Sequence, residues 1–376
     1  MDTLTVAQGS FVLGRYPRQR IEHLRAWDAA DEYLLQQLAE QQLLQPGQRL
    51  LILNDGCGAL SVALAGQRPW MLSDSFLAHQ ATLANLAANQ RSADSVRLLT
   101  SLQAPQGLVD LVLIKVPKSL ALLEDQLFRL RPHLHPGSQI LGAGMVKGIH
   151  TSTLALFERI LGPTSTSLAR KKARLIFCRP DLERDPGTSP YPGEFPLETS
   201  GDIISNHAGV FSREGLDIGT RFFLEQIPSS PQPRTMVDLG CGNGIVGLVA
   251  ARRNPRARLI FTDESFMAVA SAEENFRRAF GEEREASFLV TDALAGIPRG
   301  SVELILNNPP FHQEHVVGDQ TAWRMFQQAR EALCHRGELL VIGNRHLDYH
   351  LKLRRLFGNC TLLDSNPKFV VLQAVR

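Results

Sequence analysis

One order of landmarks runs through this chain twice, at an offset of 184 to 200 residues. The first pass opens with RLLILNDGCGALSVALA: an apolar run, a glycine-containing turn, then helix-forming residues. The second opens with TMVDLGCGNGIVGLVAA, which has the same layout. Further on, WMLSDSFLAHQATLANL is answered by LIFTDESFMAVASAEENF, each a short apolar strand ending at an aspartate, Asp74 or Asp263. VDLVLIKVPK then matches VELILNNPPF, and HLHPGSQILGAG matches ALCHRGELLVIGN. Four landmarks in one order point to duplication. Strands alternating with helices in this way predict a mostly parallel sheet covered on both faces. The expected fold class is therefore α/β, with two doubly wound domains in tandem and ligands beyond the carboxyl ends of the strands.

The length agrees: 376 residues is more than one domain at roughly 150 residues each. Residues 179–196, RPDLERDPGTSPYPGEFP, hold five prolines and no helical period. They predict a first domain over 1–180, a linker over 181–196 and a second domain over 197–376. Charge is segregated between the halves. Residues 1–180 hold 19 basic and 13 acidic side chains, and residues 181–376 hold 21 and 25. A net +6 against a net −4 suits the first half to a polyanion. Five cysteines without a C-x-x-C pair exclude a disulfide scaffold and fit a reducing cytoplasm. No signal peptide is evident, and runs such as LVLI and LLVIG are strand-sized, far short of the ~20 residues of a membrane span.

The second half carries the candidate ligand residues. In DLGCGNG, Gly240, Gly242 and Gly244 permit a tight turn and close approach of a ligand to the backbone. The spacing is neither the dinucleotide pattern nor a phosphate loop. Asp238 before the turn can hold a cationic or amino group. Asp263, ending the next strand, is placed to take both hydroxyls of a ribose, with Glu264 beside it as a rival. Asp292 in FLVTDAL can accept from an adenine amino group. Acids at three successive strand ends favour an adenosine-containing ligand.

NNPPF ends the fourth strand. Two consecutive prolines forbid a regular helix and stiffen the loop. Asn308 offers an amide oxygen, Pro309 a carbonyl without a helical partner, and Phe311 a flat apolar face. Two acceptors beside an aromatic ring suit a planar group bearing an NH2, aiming its nitrogen at an electrophilic methyl. Metal chemistry is not expected. His346 and His350, and His312 and His315, have ligand-like spacing but no acidic or cysteine partner nearby.

DLGCGNG, DES, TDA and NPPF in this order resemble the class I methyltransferases that use S-adenosyl-L-methionine. The whole chain is similar to bacterial ribosomal RNA guanine-N2 methyltransferases with two tandem Rossmann-like domains. NHAGVFSREGLDIGTRFFLE looks like their shared lead-in. WDAADEYLLQQL, LILNDGCGALS, VLIKVPK, NRHLDYH and FGNC resemble the large-subunit members. The resemblance implies methyl transfer to the exocyclic N2 of a specific guanine in 23S ribosomal RNA, giving S-adenosylhomocysteine. It implies that Gly240 and Gly242 line the methionine and ribose, Asp263 takes the ribose and Asp292 the adenine. Asn308 and Pro309 would bind the guanine amine and Phe311 would stack the base. Gly209, Phe211 and Asp217 to Thr220, Gly219 included, would cover the methionine end. The implied partner is protein-free or partly assembled large-subunit RNA, met by a cytoplasmic monomer away from membranes. The alternatives are a small-subunit guanine-N2 enzyme, a methyltransferase acting on adenine N6 or glutamine, and a non-enzymatic RNA-binding assembly factor.

The first half looks degenerate. Aligning GCG on GCG sets Asn54 against Asp238 and Leu60 against Gly244, where Leu60 would crowd the turn. Ile114-Lys115-Val116-Pro117-Lys118 replaces Asn307-Asn308-Pro309-Pro310-Phe311. The first copy is therefore expected to be catalytically dead and empty of cofactor. Lys115, Lys118, Arg170, Lys171, Lys172 and Arg174 are its candidate RNA-phosphate contacts.

Overall fold

The computed structural model describes residues 1–18, 24–198, 200–211, 215–232, 234–310 and 315–376. It separates into two compact units, Met1–Tyr191 and Pro192–Arg376. The first opens with a hairpin of β1 (Asp2–Val6) and β2 (Gly9–Leu13), then α1 (Ala29–Glu40). Strands β3 (Leu50–Leu53), β4 (Trp70–Ser73) and β5 (Arg97–Thr100) follow, separated by α2 (Ala59–Ala63) and α3 (Phe76–Ala88). After β6 (Leu111–Lys115), α4 (Leu120–Leu130) leads to β7 (Gln139–Met145). Helix α5 (Thr151–Ile160) precedes β8 (Thr164–Thr166) and β9 (Ala173–Cys178). The seven-stranded sheet runs β5-β4-β3-β6-β7-β9-β8, parallel except at β9 and its two neighbours.

The second unit repeats that plan. A hairpin of β10 (Gly193–Pro196) and β11 (Ile203–Asn206) precedes α6 (Ile218–Glu225). Then come β12 (Thr235–Leu239), α7 (Ile245–Arg253), β13 (Arg258–Asp263), α8 (Phe266–Phe280) and β14 (Ala286–Val290). They are followed by β15 (Val302–Asn307), α9 (His315–Ala332), β16 (Leu333–Asn344) and α10 (Tyr349–Phe357), with β17 (Thr361–Ser365) and β18 (Phe369–Val375) closing the unit. The order β14-β13-β12-β15-β16-β18-β17 is that of the first sheet, strand for strand. Both units are Rossmann-like α/β domains. Strand β10 lies inside the stretch expected to be linker and pairs in register with β11.

The apolar runs explain the layers. Central strands β3 (LLIL) and β12 (TMVDL) are buried along nearly their whole length, as parallel strands covered on both faces must be. Each sheet has a separate apolar core on either face. Leu34, Leu60 and Leu113 belong to one side of the first sheet, and Leu51, Ile114 and Phe157 to the other. Met236, Phe261 and Phe276 and then Val237, Ile305 and Phe326 do the same in the second. Among the described residues no helix is long and apolar enough to cross a membrane.

Strand register corrects the repeat alignment. Asp238 pairs with Leu306 on β15 and Phe261 on β13, two residues before Asn308 and Asp263. Ile52 pairs with Leu113 and Met71, two residues before Lys115 and Ser73. Ile52, not Asn54, therefore holds the place of Asp238. Asn54 falls at Gly240, and both are left-handed, with φ of 62° and 72°, a region Asn tolerates better than most residues. Ser73, not Asp74, stands for Asp263: its Oγ accepts the Ser75 amide as Asp263 Oδ1 accepts that of Ser265. Gly58, not Leu60, stands for Gly244. Each starts a helix at positive φ, and a Cβ there would come within 3 Å of Thr82 or Ala272. The identical GCG tripeptides lie two positions out of structural register, and Leu60 does not crowd the turn.

Candidate functional site

The second unit gathers its candidate residues at the carboxyl edge of its sheet. Gly240, Gly242 and Gly244 all have positive φ but do different work. A Cβ on Gly244 would strike the Ala272 Cβ and Cα at 2.8 and 2.9 Å, so this glycine lets α7 pack on α8. A Cβ on Gly240 would meet the Met325 methyl at 3.1 Å. At Gly242 nothing lies within 4 Å, so only there does the missing side chain leave open space. Asn275 and Asn243 hold the turn from behind. Asn275 Nδ2 donates to the Asn243 and Ser205 carbonyls at 2.9 Å, and Asn243 Nδ2 donates to Asn206 Oδ1 at 2.9 Å.

The three acids are not equivalent. Asp238 is 3% exposed and its Oδ2 accepts the Gly247 amide at 2.7 Å. Burial, with the nearby Asp263 charge adding to it, pushes its carboxyl up to about 8 against the pull of the Gly247 amide. It braces the start of α7 beneath the glycine turn. Asp263 accepts the Gly242 amide on Oδ2 and the Ser265 amide on Oδ1, each at 3.0 Å. Burial raises its pKa and these backbone donors oppose the rise. Each of its oxygens keeps acceptor capacity beyond those bonds. Asp292 lies two residues past β14, its Oδ1 3.1 Å from Arg324 Nε on α9. Burial raises its pKa and Arg324 lowers it.

At the end of β15, Asn307 is fully buried and donates from Nδ2 to the Leu239 carbonyl at 2.7 Å, tying the fourth strand end to the first. Asn308 Nδ2 donates to Thr220 Oγ1 at 3.0 Å. With the amide nitrogen thus engaged, Asn308 Oδ1 is buried without a hydrogen-bond partner among the described residues. Thr220 is held in turn, because Asp217 caps α6 and its Oδ2 accepts the Thr220 amide at 3.1 Å. Gly219 packs against the Phe369 ring, 3.0 Å from where a Cβ would stand. Pro309 is buried, Gly209 is partly buried and Phe211 is 54% exposed. Phe311 and His312 lie outside the described residues. The structure thus brings Gly242, Asp263 and Asp292 to successive strand ends, with Thr220 and Asn308 at the fourth. The bracing residues Asn206, Asn243, Asn275 and Asn307 were not singled out from the sequence, and neither was Arg324. The contacts of Asn206 and Asn275 lie tens of residues apart in the chain and carry no spacing signal.

The same edge of the first unit is filled from within. Lys115 takes the place of Asn308, and its Nζ lies 2.7 Å from Asp28 Oδ1 and 2.8 Å from Asp31 Oδ1. Asp28 caps α1 as Asp217 caps α6, so Asp31 stands where Thr220 stands. Burial pushes the Asp31 carboxyl up to about 6 against the pull of Lys115, whose own pKa the two acids raise. Asn54 exchanges hydrogen bonds with Gln126 at 2.8 and 2.7 Å. Ile52, Ser73 and Leu102 occupy the positions of Asp238, Asp263 and Asp292. Lys115 is therefore corrected: its side chain is 14% exposed and its charge is committed to Asp28 and Asp31, so it does not face RNA.

The remaining basic candidates lie nearer solvent. Arg170 and Ala173 close a two-residue turn whose tip, Lys171 and Lys172, has φ of 47° and 63°. Lys171 is 78% exposed and lies 2.8 Å from Glu32, and Arg170 stacks on Tyr33 at 5.0 Å. Lys118 and Lys172 are exposed. Arg174 is partly buried, its Nε without a hydrogen-bond partner.

Family models match each half of the chain separately. Residues 1–182 match the RLMG N-terminal domain, and residues 202–373 match the methyltransferase small domain. The chain is 54% identical to ribosomal RNA large subunit methyltransferase G of Streptomyces avermitilis, over 100% of this chain and 99% of that one. It is 50% identical to the protein of that name from Erwinia tasmaniensis, over the full length of both. Among solved structures it is similar in fold to a T. Thermophilus 16S rRNA N2 methyltransferase in complex with AdoMet and guanosine. The TM-score is 0.77 at 22% identity, covering 100% of this chain and 97% of that one.

Proposed function

The chain belongs to the ribosomal RNA large subunit methyltransferase G family, and from that premise we propose that it methylates the exocyclic N2 of a specific guanine in 23S ribosomal RNA, using S-adenosyl-L-methionine. The observation that carries this reading is the buried, unpartnered Asn308 Oδ1, set by the Thr220 hydrogen bond to the same amide. A buried acceptor without a donor is costly, and the N–H of an exocyclic amine is a donor that would satisfy it.

The residues fit the cofactor. Open space above Gly242 admits a ligand against the backbone, Asp263 has acceptor capacity for ribose hydroxyls, and Asp292 can accept from the adenine amine. Asp238 supports this cradle by holding α7, while Phe211, Asp217, Gly219 and Thr220 form the methionine end. When bound, S-adenosyl-L-methionine supplies a methyl group on a sulfonium, already activated for transfer. The protein's part is then positioning. Asn308 Oδ1 and the Pro309 carbonyl hold the two amine hydrogens, which aims the nitrogen and keeps its lone pair out of conjugation with the ring. Phe311 stacks the base.

A guanine N2 in a stem lies in a shallow groove, so the target is a loop guanine or one turned out of its stack. The first unit contributes Lys118, Arg170, Lys171, Lys172 and Arg174 toward phosphates. The substrate is protein-free or partly assembled large-subunit RNA, and the enzyme acts as a cytoplasmic monomer. Labelled methyl transfer to total RNA, followed by nucleoside analysis, tests the assignment. Label in N2-methylguanosine of large-subunit RNA is expected. Label only in methyladenosine or protein would sink the guanine reading.

A further inference from the structure

Helix α9 follows the amine-binding loop and touches three strand ends with one face. Arg324 Nε lies 3.1 Å from Asp292 Oδ1 beyond β14. The Met325 methyl lies 3.1 Å from where a Gly240 Cβ would stand, and its sulfur is 4.0 Å from Asn307 Nδ2. Gln328 Oε1 accepts the Leu294 amide at 2.7 Å, which holds the segment after Asp292 onto the same helix. Arg324 and Asp292 are mostly shielded, their side chains 24% and 11% exposed. Among the described residues neither Arg324 Nε nor Asp292 Oδ1 completes a hydrogen bond despite their closeness, so the contact is one of charge.

The first unit shows what this pair is for. There α4 reaches Asn54, the residue at Gly240's place, through Gln126. Asp125 precedes Gln126 as Arg324 precedes Met325, and it is buried and paired with Arg129 on its own helix at 2.7 Å. At the place of Asp292 stands Leu102. The cation and its acid are thus both missing from the unit whose site has been filled. A pair kept only for packing would have no reason to vanish with the site.

We infer that Arg324 is a positioning residue for cofactor binding, holding the Asp292 carboxylate in place as the acceptor for the adenine amine. This role rests on Asp292 being that acceptor, as proposed for the cofactor. The other groups around Asp292 do not substitute for Arg324. Asp263 on β13 faces the Gly242 and Ser265 amides, and Gln328 is uncharged and taken by Leu294. Burial raises the pKa of the Asp292 carboxyl and Arg324 lowers it. Without Arg324 burial acts unopposed, so the acid protonates at higher pH and loses acceptor strength.

The test is titration of the full chain with S-adenosyl-L-methionine, read by calorimetry at pH 6 and pH 9. An opposite charge at this range moves a carboxyl by about one to three pKa units, so Arg324→Ala should weaken binding about tenfold at pH 6 and much less at pH 9. Arg324→Lys should recover most of the loss. Asp292→Asn should weaken binding alike at both pH values, and adding Arg324→Ala to it should change little. Equal weakening by Arg324→Ala at both pH values, or no rescue by Lys, would overturn the positioning role and leave Asp292 in place. Wild-type affinity in Asp292→Asn would overturn the adenine assignment and the inference with it.

Discussion

At the carboxyl edge of the first sheet the polar side chains satisfy one another: Lys115 with Asp28 and Asp31, and Asn54 with Gln126. At the same edge of the second sheet they do not. Among the described residues, Asn307 Oδ1, Asn308 Oδ1 and Asp292 Oδ1 are buried without hydrogen-bond partners. The strand order is the same, so the fold does not dictate the difference. A few side chains do: Lys for Asn at 115 and 308, Asp for Thr at 31 and 220, Asn for Gly at 54 and 240. In the first unit the polar groups at this edge close on one another with the sheet left intact. The second unit keeps the cost of unsatisfied groups, which the proposed ligand would relieve.

The largest expected effect comes from breaking the closed polar cluster of the first unit. In Lys115→Met, Asp31 keeps its burial and loses its cation, and breaking a buried pair in this way costs about 3–5 kcal/mol. The pH dependence has a definite sign. Asp31 titrates near 6 when folded, above the ordinary value of about 3.9, so its contribution to stability is full below that ordinary value and is lost as pH rises through about 6. Removing Lys115 pushes the folded value higher still, so the variant's deficit should grow from pH 5 to pH 8. Denaturant unfolding followed by tryptophan fluorescence reads this, since Trp27 and Trp70 lie in the first unit. Equal deficits at both pH values would mean that Lys115 is not balancing a buried charge.

Next in size is the counterpart residue in the second unit. Asn308→Ala removes one acceptor and its aim, and losing one preorganised polar partner costs about 3 kcal/mol, roughly a hundredfold in kcat. Cofactor affinity should stay near wild type. Single-turnover methylation beside a binding titration separates the two. Full turnover in Asn308→Ala would show that the amine is held elsewhere.

Much of this contrast was legible in the sequence. Apolar runs and glycine turns marked the central strands, and Asp263, Asp292 and Asn308 lie at strand ends where the pattern put them. Register was not legible, because two GCG tripeptides invite a match that hydrogen bonding does not respect. The fold aligns Gly58 with Gly244, since each lets a helix start against its neighbour at positive φ. The fate of Lys115 was hidden too: its acids lie 87 and 84 residues earlier in the chain, and a lone lysine after an apolar strand reads as a surface charge.

Smaller effects separate turn glycines that serve the fold from those that serve the ligand. Gly58→Ala and Gly244→Ala each put a methyl within 3 Å of a neighbouring helix, so both should destabilise their own unit, by about 1–3 kcal/mol for such overpacking. Gly242→Ala meets open space and should cost only the roughly 1–2 kcal/mol of a left-handed residue, while weakening cofactor binding much more. Thermal unfolding and cofactor titration of the three variants check this. A Gly242→Ala protein with normal affinity would remove that glycine from the cradle.

The smallest expected effect concerns the charge that distinguishes the first unit. Lys171 and Lys172 form the tip of a tight turn at positive φ, where Asn and Gly are the preferred residues. The equivalent turn between β17 and β18 carries Pro367 and Lys368, one charge fewer. Lys171 holds Glu32 at 2.8 Å but is 78% exposed, and an exposed pair of this kind exchanges partners at little cost. If phosphate is that alternative partner, the double substitution Lys171→Glu and Lys172→Glu should weaken RNA binding by roughly tenfold at low salt and less as salt rises. The slope of log affinity against log salt should flatten by about one for each phosphate that is no longer neutralised. Cofactor affinity should not move, because neither lysine belongs to the second unit. Titrations of wild type and variant with large-subunit RNA at two salt concentrations measure both quantities. An unchanged slope would take the turn out of the RNA-binding surface and leave the first unit's positive charge to be explained by Lys118, Arg170 and Arg174.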